Sequence, residues 1–363
     1  MTIPLFDIKT PLAPLQATII KRVTEVIESG RFIFGPEVEG FEHELAEYVG
    51  TRDAIGVGNG TEALMIAARA LGVGPGDEVV VPSFTFYASA EAIAAIGARP
   101  VFCDIDKDTR NVTPDSVRPA LSAKTKAIVA VDLCGVPAEV PAIRKEFGLP
   151  VIEDAAQALG ASLDGQRAGA LGDIGAISFF PSKNLGAFGD GGAITTDDPE
   201  LAEKVRALRF HGSRNKESFE YIGYNSRLDA IQAAILRIEL AHLDEWCSGR
   251  KAAYAAYLKA GLAEYVGVCT PPQGSDPAWY LCMNTHPQAD AVIAKLKAAG
   301  VSARSYYRKP LHVQPAMAPY VNAGPQPPLP VTDELAATNL VVPISPVLTE
   351  AQATEVVAAL AAN

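Results

Sequence analysis

Three short segments carry residues whose type and setting could do chemistry. Lys183 lies in Ile177-Ser178-Phe179-Phe180-Pro181-Ser182-Lys183-Asn184-Leu185-Gly186, an apolar run that enters a loop and returns through Gly189-Asp190-Gly191-Gly192. Low-dielectric surroundings favour the neutral amine of such a lysine, the form that attacks carbonyl carbon. A lone loop lysine also fits a structural or solvent-facing role. Asp154 ends the apolar stretch of Pro150-Val151-Ile152-Glu153-Asp154-Ala155-Ala156-Gln157. Ligands of parallel α/β sheets sit at the carboxyl ends of strands, so an acid there points at a cleft. Its neighbour Glu153 faces the other way if the strand continues. No histidine pair accompanies these acids, so a carboxylate opposite a cationic ring nitrogen fits better than a metal site. The third segment, Gly58-Asn59-Gly60-Thr61-Glu62-Ala63-Leu64, follows a strand and opens a helix. Glycines allow the tight turn, the first helical N–H groups face an anion, and Thr61 can cap the helix and donate to a phosphate. An ordinary strand-to-helix turn has the same residues. The dinucleotide pattern G-x-G-x-x-G fails here, because Thr61 stands at its last glycine, and the sequence has no Walker A motif.

A phosphate cradle, an acid for a ring nitrogen and a Schiff-base lysine are the protein parts that pyridoxal 5'-phosphate (PLP) needs. The elements around them are expected to be strands at Ala54–Val57, Glu78–Val81, Arg99–Cys103, Ala127–Asp132, Pro150–Glu153, Ile174–Phe179 and Gly192–Thr196. Helical stretches fall between, at Glu62–Leu71, Tyr87–Ile96, Val136–Phe147 and Glu200–Leu208. That alternation predicts an α/β fold with a mostly parallel sheet flanked by helices. From Ser226 a long helix is expected to reach Trp246, with a second over Lys251–Leu262. The proline-richer remainder reads as a smaller α+β domain, with a helix at Ala289–Ala299, strand-like Ser302–Tyr307 and Leu340–Pro343, and a last helix from Glu350. The division is a large domain over 1–250 and a small one over 251–363.

The 363 residues are 48% apolar and 20% charged, which supports a substantial core. A net charge of −11 argues against a nucleic-acid partner. No apolar run reaches the ~18–20 residues of a membrane span, and the start lacks signal-peptide character, so a cytoplasmic location is expected. Five scattered cysteines without C-x-x-C spacing read as reduced thiols, not as a zinc or disulfide framework.

The chain closely resembles the DegT/DnrJ/StrS family of PLP-dependent sugar aminotransferases of fold type I. The resemblance is strongest at Gly35-Pro36-Glu37, at the Asn59–Leu64 and Glu153–Gln157 segments, at Pro82-Ser83-Phe84-Thr85-Phe86, at Phe180–Gly186 and at Tyr224-Asn225-Ser226-Arg227-Leu228. It implies that Lys183 carries the cofactor covalently, Asp154 faces its ring nitrogen, Gln157 bonds the ring hydroxyl and Phe86 stacks on the ring. Thr61, the Gly60–Glu62 backbone and Ser178 would hold the phosphate. Asn225 would reach the cofactor phosphate of a partner subunit, so a homodimer with shared sites is implied. The bland alternatives are a core Phe86, a surface Gln157 and a helix-capping Asn225. The family's donor is L-glutamate and its acceptor a nucleoside-diphosphate keto-sugar, often dTDP- or UDP-linked. Gly223–Asp229 followed by Gln232-Ala233-Ala234 looks more like enzymes acting at C3 than at C4. A sugar dehydratase or lyase on the same scaffold is the other alternative; family dehydratases replace the lysine by histidine, so Lys183 favours transamination. Where many relatives have His-Tyr-Pro, this chain has Tyr306-Tyr307-Arg308-Lys309 before Pro310-Leu311-His312. Arg227, Tyr306, Tyr307 and Arg308 are the substrate candidates; Arg304 and Arg308 are candidates for a carboxylate.

Overall fold

Seven largely apolar segments pair into one sheet in the computed structural model, which describes residues 2–362. They are β1 (Asp53–Val57), β2 (Glu78–Pro82), β3 (Arg99–Cys103), β4 (Thr125–Val131), β5 (Val151–Asp154), β6 (Ile174–Ser178) and β7 (Gly192–Thr196). Their order is β1-β7-β6-β5-β4-β2-β3, and β7 alone runs against the rest. The strands are buried almost throughout, as their continuous Val, Ile and Ala runs require of a sheet covered on both faces. In register, Val131 lies beside Asp154 and Asp154 beside Ala176, so the carboxyl ends of β4, β5 and β6 form one edge.

The helices are α1 (Gln16–Ser29), α2 (Pro36–Val49), α3 (Gly60–Ala70), α4 (Ala88–Ala95), α5 (Val140–Phe147), α6 (Pro199–Arg209), α7 (Ala230–Leu240) and α8 (Leu243–Lys259). Two apolar clusters flank the sheet. One joins Ile66 of α3 and Ile93 of α4 to Val80, Ile128 and Ile152. The other joins Phe41 and Leu45 of α2 and Leu236 of α7 to Phe179, whose ring meets Phe41 edge-on at 5.3 Å. A third cluster gathers Tyr254 and Tyr257 of α8 with the C-terminal elements β8 (Cys282–Thr285), α9 (Ala289–Ala298), β9 (Asn339–Val342) and α11 (Glu350–Ala361), whereas Leu335 and Ala336 of α10 (Pro330–Thr338) join the first. Strands β8 and β9 pair antiparallel.

Two expectations about elements are corrected. The long helix does not run from Ser226 to Trp246. It begins at Ala230, capped by the Asp229 carboxylate on the Gln232 N–H, and breaks after Leu240. The second cluster continues past the break through Leu243 and Cys247 of α8, and only from Ala253 onward, with Tyr254 and Tyr257, does α8 face the third. Ser302–Tyr307 is not a strand; an isolated bridge from Arg304 to Val341 and side-chain bonds to Asn339 tie it to β9. The proline-rich run ends by starting α10 at Pro330, where a helix has no need of an N–H. All five cysteines are buried and unbridged. Among the described residues, no helix is long and apolar enough to cross a membrane.

Candidate active site

The carboxyl edge of the sheet opens into a cavity of about 1020 Å3, lined from the large sheet by Gly60, Asp154, Ser178 and Lys183 and from the C-terminal region by Tyr306 and Tyr307. At its floor the start of α3 lies against the end of β6. A Cβ on Gly60 would stand 2.6 Å from the Ser178 Cβ, and one on Gly192 2.6 Å from the Asn59 carbonyl carbon. Only glycine permits this approach. The helix cap is Asn59 rather than Thr61: the Asn59 Oδ1 accepts the Glu62 N–H at 2.9 Å. That correction frees the Thr61 hydroxyl and engages the Glu62 amide, leaving the Gly60 and Thr61 N–H groups, which have no acceptor within the helix, as anion donors.

Strand β5 delivers its two acids to opposite sides. Glu153 is fully buried and accepts N–H groups from Gly169, Leu171 and Gly172 at 2.5, 2.7 and 2.9 Å. Beside it burial and the neighbouring Glu153 hold the Asp132 carboxyl well above the usual carboxylate range. Asp154 lines the cavity at 5% exposure. Its Oδ2 accepts the Ser89 hydroxyl at 2.7 Å and its Oδ1 the Ala156 N–H at 3.3 Å. Burial raises its pKa, while the two donors and the Lys183 charge act against that rise. It makes no ion pair among the described residues, and such a buried carboxylate calls for a cation in the cavity.

The loop after β6 is tightly fixed. Lys183 N–H donates to the Phe180 carbonyl and Ala187 N–H to the Phe179 carbonyl, both at 2.8 Å. The Asn184 side chain donates to the Leu159 and Ala278 carbonyls at 3.4 and 3.3 Å. Lys183 itself is only half-buried because its side chain opens on the cavity; protein closes round the rest. Loss of water lowers its pKa from 10.5 to about 8, with Asp154 opposing the fall. The amine lies 4.5 Å from the ring centre of Tyr280, whose hydroxyl is 3.1 Å from the Ser182 Oγ.

Gln157 is buried, its Oε1 accepting the Cys134 N–H at 2.8 Å and its Nε2 donating to the Tyr307 hydroxyl at 3.3 Å. Phe86 is 56% exposed, so it belongs to the cavity wall and not to the core. These residues fit PLP: a lysine with a weakened hold on its proton, an acid lacking a counter-ion and a glycine-bounded anion cradle share one cavity. Asn225 and Arg227 stand outside it. Asn225 is exposed and bridges the Phe210 backbone; Arg227 lies over the Phe210 ring at 5.8 Å. Arg308 lines the cavity, yet its guanidinium is engaged by the Ala336 and Ala337 carbonyls and by Asp290. Arg304 remains without an ion pair among the described residues, stacked on Tyr306 at 4.6 Å. Sequence reasoning missed Ser89, Tyr280 and the Cys134 amide. None of these has a local pattern that marks it.

Comparison with known proteins gives the same direction. The chain is 44% identical to the dTDP-3-amino-3,4,6-trideoxy-α-D-glucose transaminase of Streptomyces venezuelae, covering 99% of this chain and 95% of that one. It is 44% identical to a pleiotropic regulatory protein of Geobacillus stearothermophilus, covering 99% and 98%. It is 41% identical to the UDP-N-acetyl-3-dehydro-α-D-glucosamine 3-aminotransferase of Acidithiobacillus ferrooxidans, covering 96% and 95%. Its fold superposes with a TM-score of 0.94 on the S. venezuelae DesV crystal structure in complex with a ketimine intermediate, at 44% identity and 99% and 97% coverage. Residues 14–361 match one family throughout, and the chain belongs to the DegT/DnrJ/EryC1/StrS aminotransferase family.

Proposed function

We propose that the chain is a PLP-dependent aminotransferase that moves an amino group from L-glutamate to a nucleoside-diphosphate-linked keto-sugar, at C3. The observation that carries this reading is the Lys183 amine in one cavity with the uncompensated Asp154 carboxylate and the Gly60–Ser178 cradle. The C3 preference draws on the names of the 44% and 41% identical sugar transaminases.

In this reading Lys183 bonds the cofactor, Gln157 holds its ring oxygen, Phe86 covers one face, and Thr61, the Gly60 backbone and Ser178 hold its phosphate. PLP supplies an electron sink for a carbanion at the carbon that carries the amino group. Asp154 keeps the ring nitrogen protonated, because a buried carboxylate is stabilised by the cation it faces. The Lys183 amine, freed from the cofactor, would carry a proton from the donor carbon to the cofactor's C4′ carbon. Its low pKa suits that exchange, since a group titrating near the working pH both accepts and donates. The fixed backbone of its loop limits the amine's search for reactive geometry. Tyr306 faces the substrate side, and Arg304 offers a guanidinium for a phosphate or carboxylate.

We further assign residues 1–250 to a cofactor-binding domain and 251–363 to a small domain, supported by a cluster whose buried members apart from Ile3 and Val136 all lie beyond residue 250. Asn225, exposed and away from this cavity, is assigned to the site of a second subunit in a homodimer. A cytoplasmic location accords with the nucleotide-sugar substrate. The test has two steps. Incubation with L-glutamate should convert bound cofactor to its amine form. A panel of dTDP- and UDP-linked 3-keto and 4-keto sugars should then give product aminated at C3 by NMR. Amination at C4 alone overturns the regiochemistry, and no conversion by glutamate overturns the transaminase reading.

A further inference from the structure

We infer that Tyr307 donates a second hydrogen bond, beside that of Gln157, to the negatively charged ring oxygen of the cofactor. This rests on the PLP reading of the site, but its starting point is a hydroxyl with an unassigned proton. The Gln157 amide has one orientation: its Oε1 is pinned by the Cys134 N–H at 2.8 Å, so its NH2 end is turned to Tyr307. Cys134 adopts a left-handed backbone, φ 61°, within the short turn that places this amide. One Nε2 hydrogen reaches the Tyr307 oxygen at 3.3 Å, leaving the other for a cavity ligand.

Tyr307 therefore accepts from Gln157, and its own O–H needs an acceptor. No described residue supplies one, and Tyr307 lines the cavity. Burial pushes the phenol well above its ordinary range, so it keeps the proton it has to donate. Nor can it turn elsewhere. Its ring is set among Phe84, Phe86 and Tyr306 at centroid distances of 6.1, 6.2 and 5.6 Å. On one side of it the Ser305 hydroxyl and Tyr306 N–H both donate to the Asn339 Oδ1 at 2.8 Å. On the other, Leu311 N–H reaches the Ser83 carbonyl at 2.9 Å and His312 N–H the Ser83 Oγ at 3.1 Å. The acceptor must come from the cavity's occupant, next to the group that Gln157 holds, and it must be rich in electrons. The ring oxygen of the cofactor meets both conditions.

Two donors on that oxygen stabilise its negative charge and so favour loss of the proton it shares with the lysine-linked nitrogen. Removing one donor raises the pH at which the visible band of the holoenzyme changes. The Tyr307→Phe holoenzyme should show that midpoint moved up by about one pH unit, a tenfold change in proton affinity. Its affinity for PLP, by equilibrium dialysis of apoprotein, should fall, whereas its affinity for 3-deoxypyridoxal phosphate, which lacks the ring oxygen, should equal that of the unsubstituted protein. An unmoved midpoint overturns the inference. So does an equal loss of affinity for both ligands, which would make Tyr307 a structural post. If the unsubstituted protein binds no PLP at all, the functional reading itself fails.

Discussion

Lys183 departs well from the behaviour of a lysine in water, and the consequence is measurable before any turnover. Desolvation brings its amine from 10.5 to about 8. Each pH unit is a factor of ten in the neutral fraction, so at pH 7 an amine at 8 is neutral about 300 times more often than one at 10.5. Only the neutral form attacks the cofactor aldehyde. The perturbation is therefore pH itself, applied to apoprotein mixed with PLP in a stopped-flow instrument that follows the visible band. Between pH 6.5 and 8 the loading rate should climb about tenfold per unit, then level off. A rate still climbing tenfold per unit between pH 9 and 10 would mean that Lys183 titrates like a solvated lysine, and the desolvation reasoning would be wrong. The same shift gives a stability signature in the apoprotein. Between about 8 and 10.5 the unfolded chain holds a proton on this lysine that the folded chain lacks, so this group's contribution makes stability rise with pH across that window.

Asp154→Asn should leave PLP loading measurable while lowering transamination by at least about a thousandfold, read as single-turnover conversion by glutamate, because the ring nitrogen loses the charge that keeps it protonated. It should also move the loading midpoint of Lys183 below 8, since Asp154 opposes the amine's fall. Gly60→Ala puts a Cβ 2.6 Å from the Ser178 Cβ, and should weaken PLP affinity about tenfold or more by dialysis while also lowering Tm, since overpacking of this kind costs roughly 1–3 kcal/mol. Glu239, 2% exposed behind the lysine loop, has one carboxylate oxygen without a partner, and burial raises its pKa from 4.5 to about 8. The folded chain then holds a proton that the unfolded chain releases between those values, so the contribution is present below 4.5 and lost as pH rises through 8. Glu239→Gln should raise Tm by several degrees at pH 8.5 and by little at pH 5, as followed by thermal denaturation.

The chemistry was legible where the sheet rule applies. A parallel strand buried on both faces is a continuous apolar run, so the acid ending β5 and the lysine beyond β6 had to lie on one edge. The same alternation placed Glu153 and Asp154 on opposite sides, as their separate partners show. Less was legible where a contact joins distant parts of the chain. Tyr280 under Lys183 and Tyr307 on Gln157 come from the C-terminal third, and nothing in their neighbourhoods records what they touch. Local competition misled at the start of α3. Asn59 and Thr61 can both cap a helix, and the backbone geometry, not composition, awarded the role to Asn59. The extended helix failed for a similar reason: Leu240, Leu243 and Cys247 keep the apolar spacing across the break and share one cluster, so periodicity does not mark where α7 ends and α8 begins. Arg308 looked available because its tether, Asp290 and two carbonyls at the end of α10, is remote in sequence.

The most direct test of the account is covalent. Borohydride reduction of the PLP-loaded protein, followed by proteolysis and mass spectrometry, should find the pyridoxyl group on the peptide containing Lys183 and should find none in the Lys183→Ala protein. Reduction that labels a different lysine, or labels the substituted protein equally, would contradict it.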